Sequence, residues 1–243
     1  MDWHRRFIQQ AEWTRELRQY LFQRARLAVA RHVLEVGCGT GAILVELRTA
    51  AALHGLDLSL PDLKQAGFHT GAILTCGEAY ALPYPSQTFD ITFCHFLLLW
   101  LKDPLATLQD MARVTRAGGH VLALAEPDYS GRIDRPKELA SLGRWQAESL
   151  RRQGADPDLG RRLAGLFTEA GIEVIETGSL GGRERRPLTP EEREMEWAVL
   201  EADLAGMVTD EDIQRMKKID EQAWRRGERV LHVPTHFAWG RAG

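Results

Sequence analysis

The sequence predicts an α/β sandwich built on a mainly parallel sheet. Three observations carry this. Short apolar runs alternate with helix-like segments from residue 32 onward. A bare glycine bend, "VLEVGCGTGA" (Val33 to Ala42), joins the first such run to the next segment. Hydrophobic residues make up 44% of 243, enough for a sizeable core. Strands alternating with helices imply right-handed crossovers, which place helices on both faces of the sheet.

Taken in order, residues 3–28 read as an amphipathic helix, with Trp3, Phe7 and Ala11 four apart and Trp13, Leu17 and Leu21 likewise. We assign residues 1–30 to an N-terminal helical cap. "HVLEV" is a short buried strand, Thr40 to Ala51 a helix, and "LHGLDL" a second strand ending near Asp57. Pro61 to Ala66 gives a short helix and "GAILTC" a third strand. "FDITFCHF", "PLATLQDMARVTR" and "GGHVLALAE" follow as strand, helix and strand. "EPDYSGRIDRP" reads as a loop, residues 137–153 and 157–170 as helices, and "GIEVIETGSL" as a sixth strand. The core domain thus spans 31–182. Thr189, Pro190 and Glu192 mark a strong helix start: a cap, a first-position proline and a reciprocal glutamate. Trp197, Leu200, Leu204 and Met207 trace one face of that helix. A further helix opens at Thr209, with Ile213, Met216, Ile219 and Ala223 inward. Residues 183–231 therefore form a helical insertion, read as a lid, with plain packing or a dimer contact as the alternatives. "HVPTHFAWGRA" supplies the last strand, and residues 232–243 return to the core.

Composition excludes several functions. A net charge of −3 argues against a general nucleic-acid binder. The arginine-rich pieces at 151–152, 161–162 and 183–186 are flanked or interrupted by acids and read as solvated faces. Cys38, Cys76 and Cys94 show no metal-like spacing, and an odd, low count suits a reducing cytoplasm. No signal-like or membrane-length apolar run occurs; the longest, "FLLLWL", ends at Leu101. The expectation is a cytoplasmic protein with no metal and no membrane partner, monomeric or homodimeric.

A strand, a glycine turn and a helix start let a ligand approach backbone N–H groups. A phosphate-binding loop would need Lys and Ser or Thr after the last glycine, and Gly41 is followed by Ala42 and Ile43. A dinucleotide turn spaces its glycines as G-x-G-x-x-G, whereas Gly37, Gly39 and Gly41 are one residue tighter. The pattern closely resembles motif I of class I S-adenosylmethionine (SAM)-dependent methyltransferases. "HGLDLS", "GEAYALPYPSQTFDITFCHFLLLWLKDP", "VTRAGGHVLALAEPD" and "FAWGRA" resemble the family's later segments, in order. The resemblance covers about residues 31–127 well and the last strand loosely.

The resemblance implies a three-layer αβα Rossmann-like sandwich whose seven-stranded, mainly parallel sheet ends in an antiparallel last strand. It also implies SAM as cofactor, S-adenosylhomocysteine as product, and a cofactor site drawn from matching positions. Gly37, Gly39 and Gly41 would admit the methionine end, where Cβ atoms would collide with it, and Cys38 and Thr40 would join them in the cofactor site. Glu35 would stand near the amino group, or else be a satisfied polar group at a strand end. Asp57, 57 − 37 = 20 residues beyond Gly37, would accept from the ribose hydroxyls. Its alternative is a helix cap, for which Ser59 is better placed. Leu58 would pack on adenine, Glu78 would accept from its amino group, and the Ala79 N–H would donate to the ring. Glu78 departs from the family's usual Asp. His95 and Phe96 would lie beside the sulfonium.

No fixed catalytic constellation is visible, and none is required when alignment carries the reaction. His95 and Tyr129 are the candidates for proton transfer. Trp100, Glu126, Asp128, Tyr129 and Trp197 are candidate substrate-facing residues, each with a bland alternative in solvation or packing. Arg15, Arg18 and Tyr20 on the N-terminal helix could reach the cofactor. "CHFLLLW" stands where amino-group methylases of nucleobases or proteins carry N-P-P-Y. The expected reaction is therefore methyl transfer to oxygen or carbon of a small organic molecule. RNA or protein methylation and a non-catalytic SAM-binding regulator are the alternatives.

Overall fold

A computed structural model describes residues 3–180 and 188–243. The 183–186 arginine piece and the first residues of the insertion lie outside them. In chain order come α1 (Trp3–Trp13), α2 (Arg15–Arg24), β1 (His32–Val36), β2 (Ala52–Asp57), α3 (Leu60–His69), β3 (Ile73–Cys76) and β4 (Phe89–Cys94). Then follow α4 (Pro104–Val114), β5 (Thr115–Pro127), β6 (Ile133–Arg135), α5 (Ala140–Arg152), α6 (Leu159–Glu169) and β7 (Glu173–Leu180). The last elements are α7 (Pro190–Leu204), α8 (Asp210–Arg226), β8 (Val230–His232) and β9 (Thr235–Arg241).

Seven strands form one sheet in the order β3-β2-β1-β4-β5-β9-β7. The pairs from β3 to β5 are parallel, and β9 runs antiparallel to both β5 and β7. All six residues of β4 are buried, as a central strand covered on both faces requires. One face packs α4 and α6 through Leu108, Met111, Leu163 and Phe167. The other packs α2 and α3 through Leu21, Phe22 and Leu63, with Phe22 edge-on to Phe93 at 5.1 Å. Strand order reverses between β1 and β4, so a crevice opens outside their carboxyl ends.

The helix starts follow local chemistry. Ser59 caps α3 by accepting from the Asp62 N–H, and Asp103 caps α4 by accepting from Ala106. Thr189 and Glu192 form the reciprocal box expected from their spacing. In the insertion, Leu200 and Leu204 of α7 and Ile213 and Met216 of α8 close over Leu139, just before α5, and Leu142 within it.

Three expectations need correction. Residues 3–28 form two helices rather than one, because Thr14 leaves helical geometry (φ −109°, ψ 5°) and turns its hydroxyl to His95. Thr40 to Ala51 holds only a single 3₁₀ turn, Leu44–Glu46, followed by extended Leu47. Only 52 − 41 − 1 = 10 residues separate Gly41 from β2. As α-helix they would span about 15 Å. The return along β1 needs about 16 Å plus two turns, so a looser path is required. Finally, the "EPDYSGRIDRP" loop contains a 3₁₀ turn at Tyr129–Gly131 and β6, which pairs antiparallel with β8 in a separate ribbon.

Candidate active site

The glycine bend and Asp57 form one unit. Gly37, Gly39 and Gly41 take φ of +73°, +49° and +78°, a region open mainly to glycine. The Gly37 and Cys38 N–H groups donate to the Leu56 carbonyl at 2.7 and 3.0 Å, tying the bend to β2. Asp57 accepts from the Gly39 N–H at 2.7 Å through Oδ2 and from the Ser59 N–H at 2.8 Å through Oδ1. Each oxygen keeps a further acceptor position.

Glu35 lies at the foot of the bend, 2% exposed, and its Oε2 has no donor. Burial pushes its carboxyl well above the usual range; Arg18 pulls it back and Asp57 pushes it further up. A buried carboxylate oxygen without a donor is costly unless a hydrogen bond or an opposite charge reaches it. Thr40 is 1% exposed, and the Cys38 thiol is raised chiefly by burial and so stays protonated.

The cap helices lie over this bend. His4 Nδ1 sits 2.8 Å from Thr40 Oγ1, and a Cβ added at Gly39 would lie 3.3 Å from the Phe7 ring. Arg18, 3% exposed, donates to Thr14 and pairs with Glu46; Arg15 also reaches Glu46. Both arginines are thus committed within the protein, and Tyr20 donates to Glu176 away from the bend. Sequence patterning puts Phe7 on the apolar face of its helix but gives no signal that it, His4 or Thr14 meets the bend or its surroundings, which only tertiary docking decides.

Leu58, 64% exposed, half-buried Glu78 and buried Ala79 follow the ends of β2 and β3. The Glu78 carboxylate stands beside the Tyr80 hydroxyl and holds that phenol above its ordinary range. At the end of β4, Phe96 adopts φ +52°, a conformation that costs about 1–3 kcal/mol in a bulky residue. Leu97 follows it against Gly37; a Cβ there would lie 2.6 Å from Leu97 Cδ1. His95 bonds Thr14 Oγ1 through Nε2 at 2.8 Å, and burial, with Arg18 adding, drives its pKa well below the ordinary value. His95 is therefore held neutral and tied to the cap through Nε2.

The substrate-facing candidates separate. Glu126, 0% exposed, accepts from the Leu97, Leu98 and Leu99 N–H groups at 3.1, 3.0 and 3.3 Å. It shapes the segment after β4 rather than facing an acceptor. Asp128 accepts two bonds from Arg161, at 2.8 and 2.6 Å, and one from the Gly131 N–H. Trp197 donates to Asp220 at 2.9 Å inside the insertion. Tyr129 packs on the core, and burial raises its phenol to about 12, so it keeps its proton at neutral pH. Trp100 alone of the five is exposed, at 48%.

Glu126 yields a pH prediction. Burial lifts its pKa from 4.5 to about 7 against the three N–H donors. The folded state then holds a proton that the unfolded chain releases. Stability is greatest below the unfolded value and falls as pH rises toward 7, by about 3 kcal/mol in all. Glu126→Gln cannot titrate, so denaturant midpoints between those pH limits should lack this decline relative to the wild type. Superimposable profiles would contradict the burial argument.

A methyltransferase-domain family model matches residues 34–123, which span β1 to β5. Demethylmenaquinone methyltransferase of Bacillus licheniformis is 32% identical over 168 residues, 59% of this chain and 71% of that protein. Ubiquinone biosynthesis O-methyltransferase of Vibrio cholerae is 37% identical over 111 residues, 42% of this chain and 44% of that protein, so the match spans less than half of it. Among solved structures, geranyl diphosphate methyltransferase in complex with SAM superimposes with a TM-score of 0.57 at 13% identity, covering 95% of this chain and 85% of that one. The fold is thus that of an α/β protein with a glycine bend at the switch point of its sheet. The chain belongs to the class I SAM-dependent methyltransferases, and SAM is its cofactor. Among the described residues no helix is long and apolar enough to cross a membrane, and no cluster of side chains suits a metal.

Proposed function

We propose that the chain is a cytoplasmic methyltransferase acting on oxygen or carbon of a small organic acceptor. The observation that carries this reading is the Asp57-clamped glycine bend at the sheet's switch point, with the unpartnered Glu35 oxygen beneath it. Relatives named for ubiquinone biosynthesis O-methylation and for demethylmenaquinone support a small acceptor over RNA or protein.

Bound SAM would supply a methyl group already activated on a sulfonium. The chain's residues bind and align. Asp57 receives the ribose hydroxyls on its remaining lone pairs, and Glu35 meets the amino group. Leu58, Glu78 and the Ala79 N–H border the adenine. Phe96 and Leu97 wall the carboxyl end of β4, while α1 and α2 keep water from the bend. Alignment supplies most of the rate in such a displacement, so no dedicated base is required.

One observation favours a second reading, a SAM-binding regulator without turnover: Phe7 and His4 of α1 rest directly on the bend. Methyl-labelled SAM separates these readings when incubated with small-molecule, RNA and protein fractions of cell extract. Label should enter the small-molecule fraction with wild type. Asp57→Ala should lose label and weaken SAM binding by about 1–3 kcal/mol in calorimetry. Label in RNA or protein would refute the proposal, and so would tight SAM binding with no transfer to any fraction.

A further inference from the structure

A second cleft of about 480 Å³ opens away from the glycine bend. Tyr20 and Arg24 of α2, Arg26 just beyond it, His120 of β5, and Trp239 and Arg241 of β9 line it. His120 and Arg241 are register partners, level with Ile91 and Val33 at the start of β1. The bend follows the other end of that strand.

The charge of this cleft is unbalanced. Most arginines near the site meet a carboxylate, as Arg15, Arg18, Arg116 and Arg161 do. Among the described residues no carboxylate comes within ion-pair distance of Arg24, Arg26 or Arg241, although Glu173 lies opposite Arg241 in the β7–β9 ladder. Glu176, the other nearby acid, accepts from the Tyr20 hydroxyl and keeps its charge, while Asp90 pairs with Arg116. The Arg24 guanidinium lies over the Trp239 ring, 5.5 Å from its centroid.

His120 reports the resulting field. The Trp239 Nε1–H, which can only donate, points to His120 Nδ1 at 3.1 Å. The neutral imidazole therefore carries its proton on Nε2 and is itself a donor. Burial lowers its pKa, and Arg241, Arg116 and Arg26 lower it further.

We infer that this cleft binds a small soluble anion bearing phosphate groups, at a site separate from the SAM site. Three guanidinium forks, whose geometry suits phosphate oxygens, outnumber Glu173 and Glu176 and leave the cleft net positive. The volume falls within the range of small-molecule sites. The inference does not depend on which acceptor is methylated.

Pyrophosphate is the probe, with the His120 ring signals followed by NMR and heat measured by calorimetry. Saturable binding is expected at constant ionic strength, with the His120 pKa rising because an adjacent anion favours the imidazolium. Arg24→Ala and Arg241→Ala, both at exposed positions, should each weaken pyrophosphate roughly fivefold or more, with SAM affinity unchanged. Three results would overturn the inference: His120 shifts that follow chloride as well as pyrophosphate, pyrophosphate affinity indifferent to both arginines, or binding to phosphatidylglycerol vesicles without binding to pyrophosphate. Loss of SAM binding in the wild type would instead strike at the methyltransferase reading.

Discussion

Gly39→Val should abolish SAM binding while leaving the fold in place. Position 39 takes φ +49°, which a β-branched residue enters only with strain of about 1–3 kcal/mol. An added Cβ would also come within 3.3 Å of the Phe7 ring. The Gly39 N–H is one of the two donors that orient Asp57, so a displaced backbone misplaces the carboxylate too. The outcome is read by calorimetry with SAM beside a circular dichroism melt. A variant that melts cooperatively, a few degrees early, and shows no heat of binding fits the site. Wild-type affinity in this variant would move the cofactor elsewhere.

The second large effect concerns the insertion. Arg229 joins Asp220 of α8 at 2.5 Å and Asp134 of β6 at 2.8 Å, and Arg132 donates to Asp134 at 2.8 Å. The Arg229, Asp134 and Asp220 side chains are 3%, 1% and 7% exposed. Removing the shared cation leaves buried Asp220 with only the Trp197 N–H and Asp134 with Arg132 alone, so Arg229→Ala should cost about 3–5 kcal/mol. Urea unfolding of wild type and variant measures it. A change under about 1 kcal/mol would mean that water reaches this chain of charges as it does a surface pair.

The parallel half of the sheet was legible because each strand is a short apolar run closed by turn residues. The α7 cap was legible because Thr189, Pro190 and Glu192 act within one helical turn. The segment after Gly41 was misread because "AILVEL" has helical spacing, while the crossover length that forbids a full helix is a property of two strands. Glu126 and Asp128 looked available for substrate because local sequence cannot display their partners, the Leu97–Leu99 backbone and Arg161. The cap's break at Thr14 is likewise decided by His95, 95 − 14 = 81 residues away. Site features made by neighbours in the chain could be read directly; those made by docking of distant segments could not.

The position of β9 between β5 and β7 constrains assembly of the sheet. During synthesis both neighbours emerge first, each with an unpaired ladder of backbone groups. That gap persists while α7 and α8 are made. Until the closing strand threads into place, β5 keeps an open edge and β7 has no partner strand, and both can pair with other polypeptides. Truncation before Thr235 would make that hazard permanent even though every residue of the glycine bend is already present.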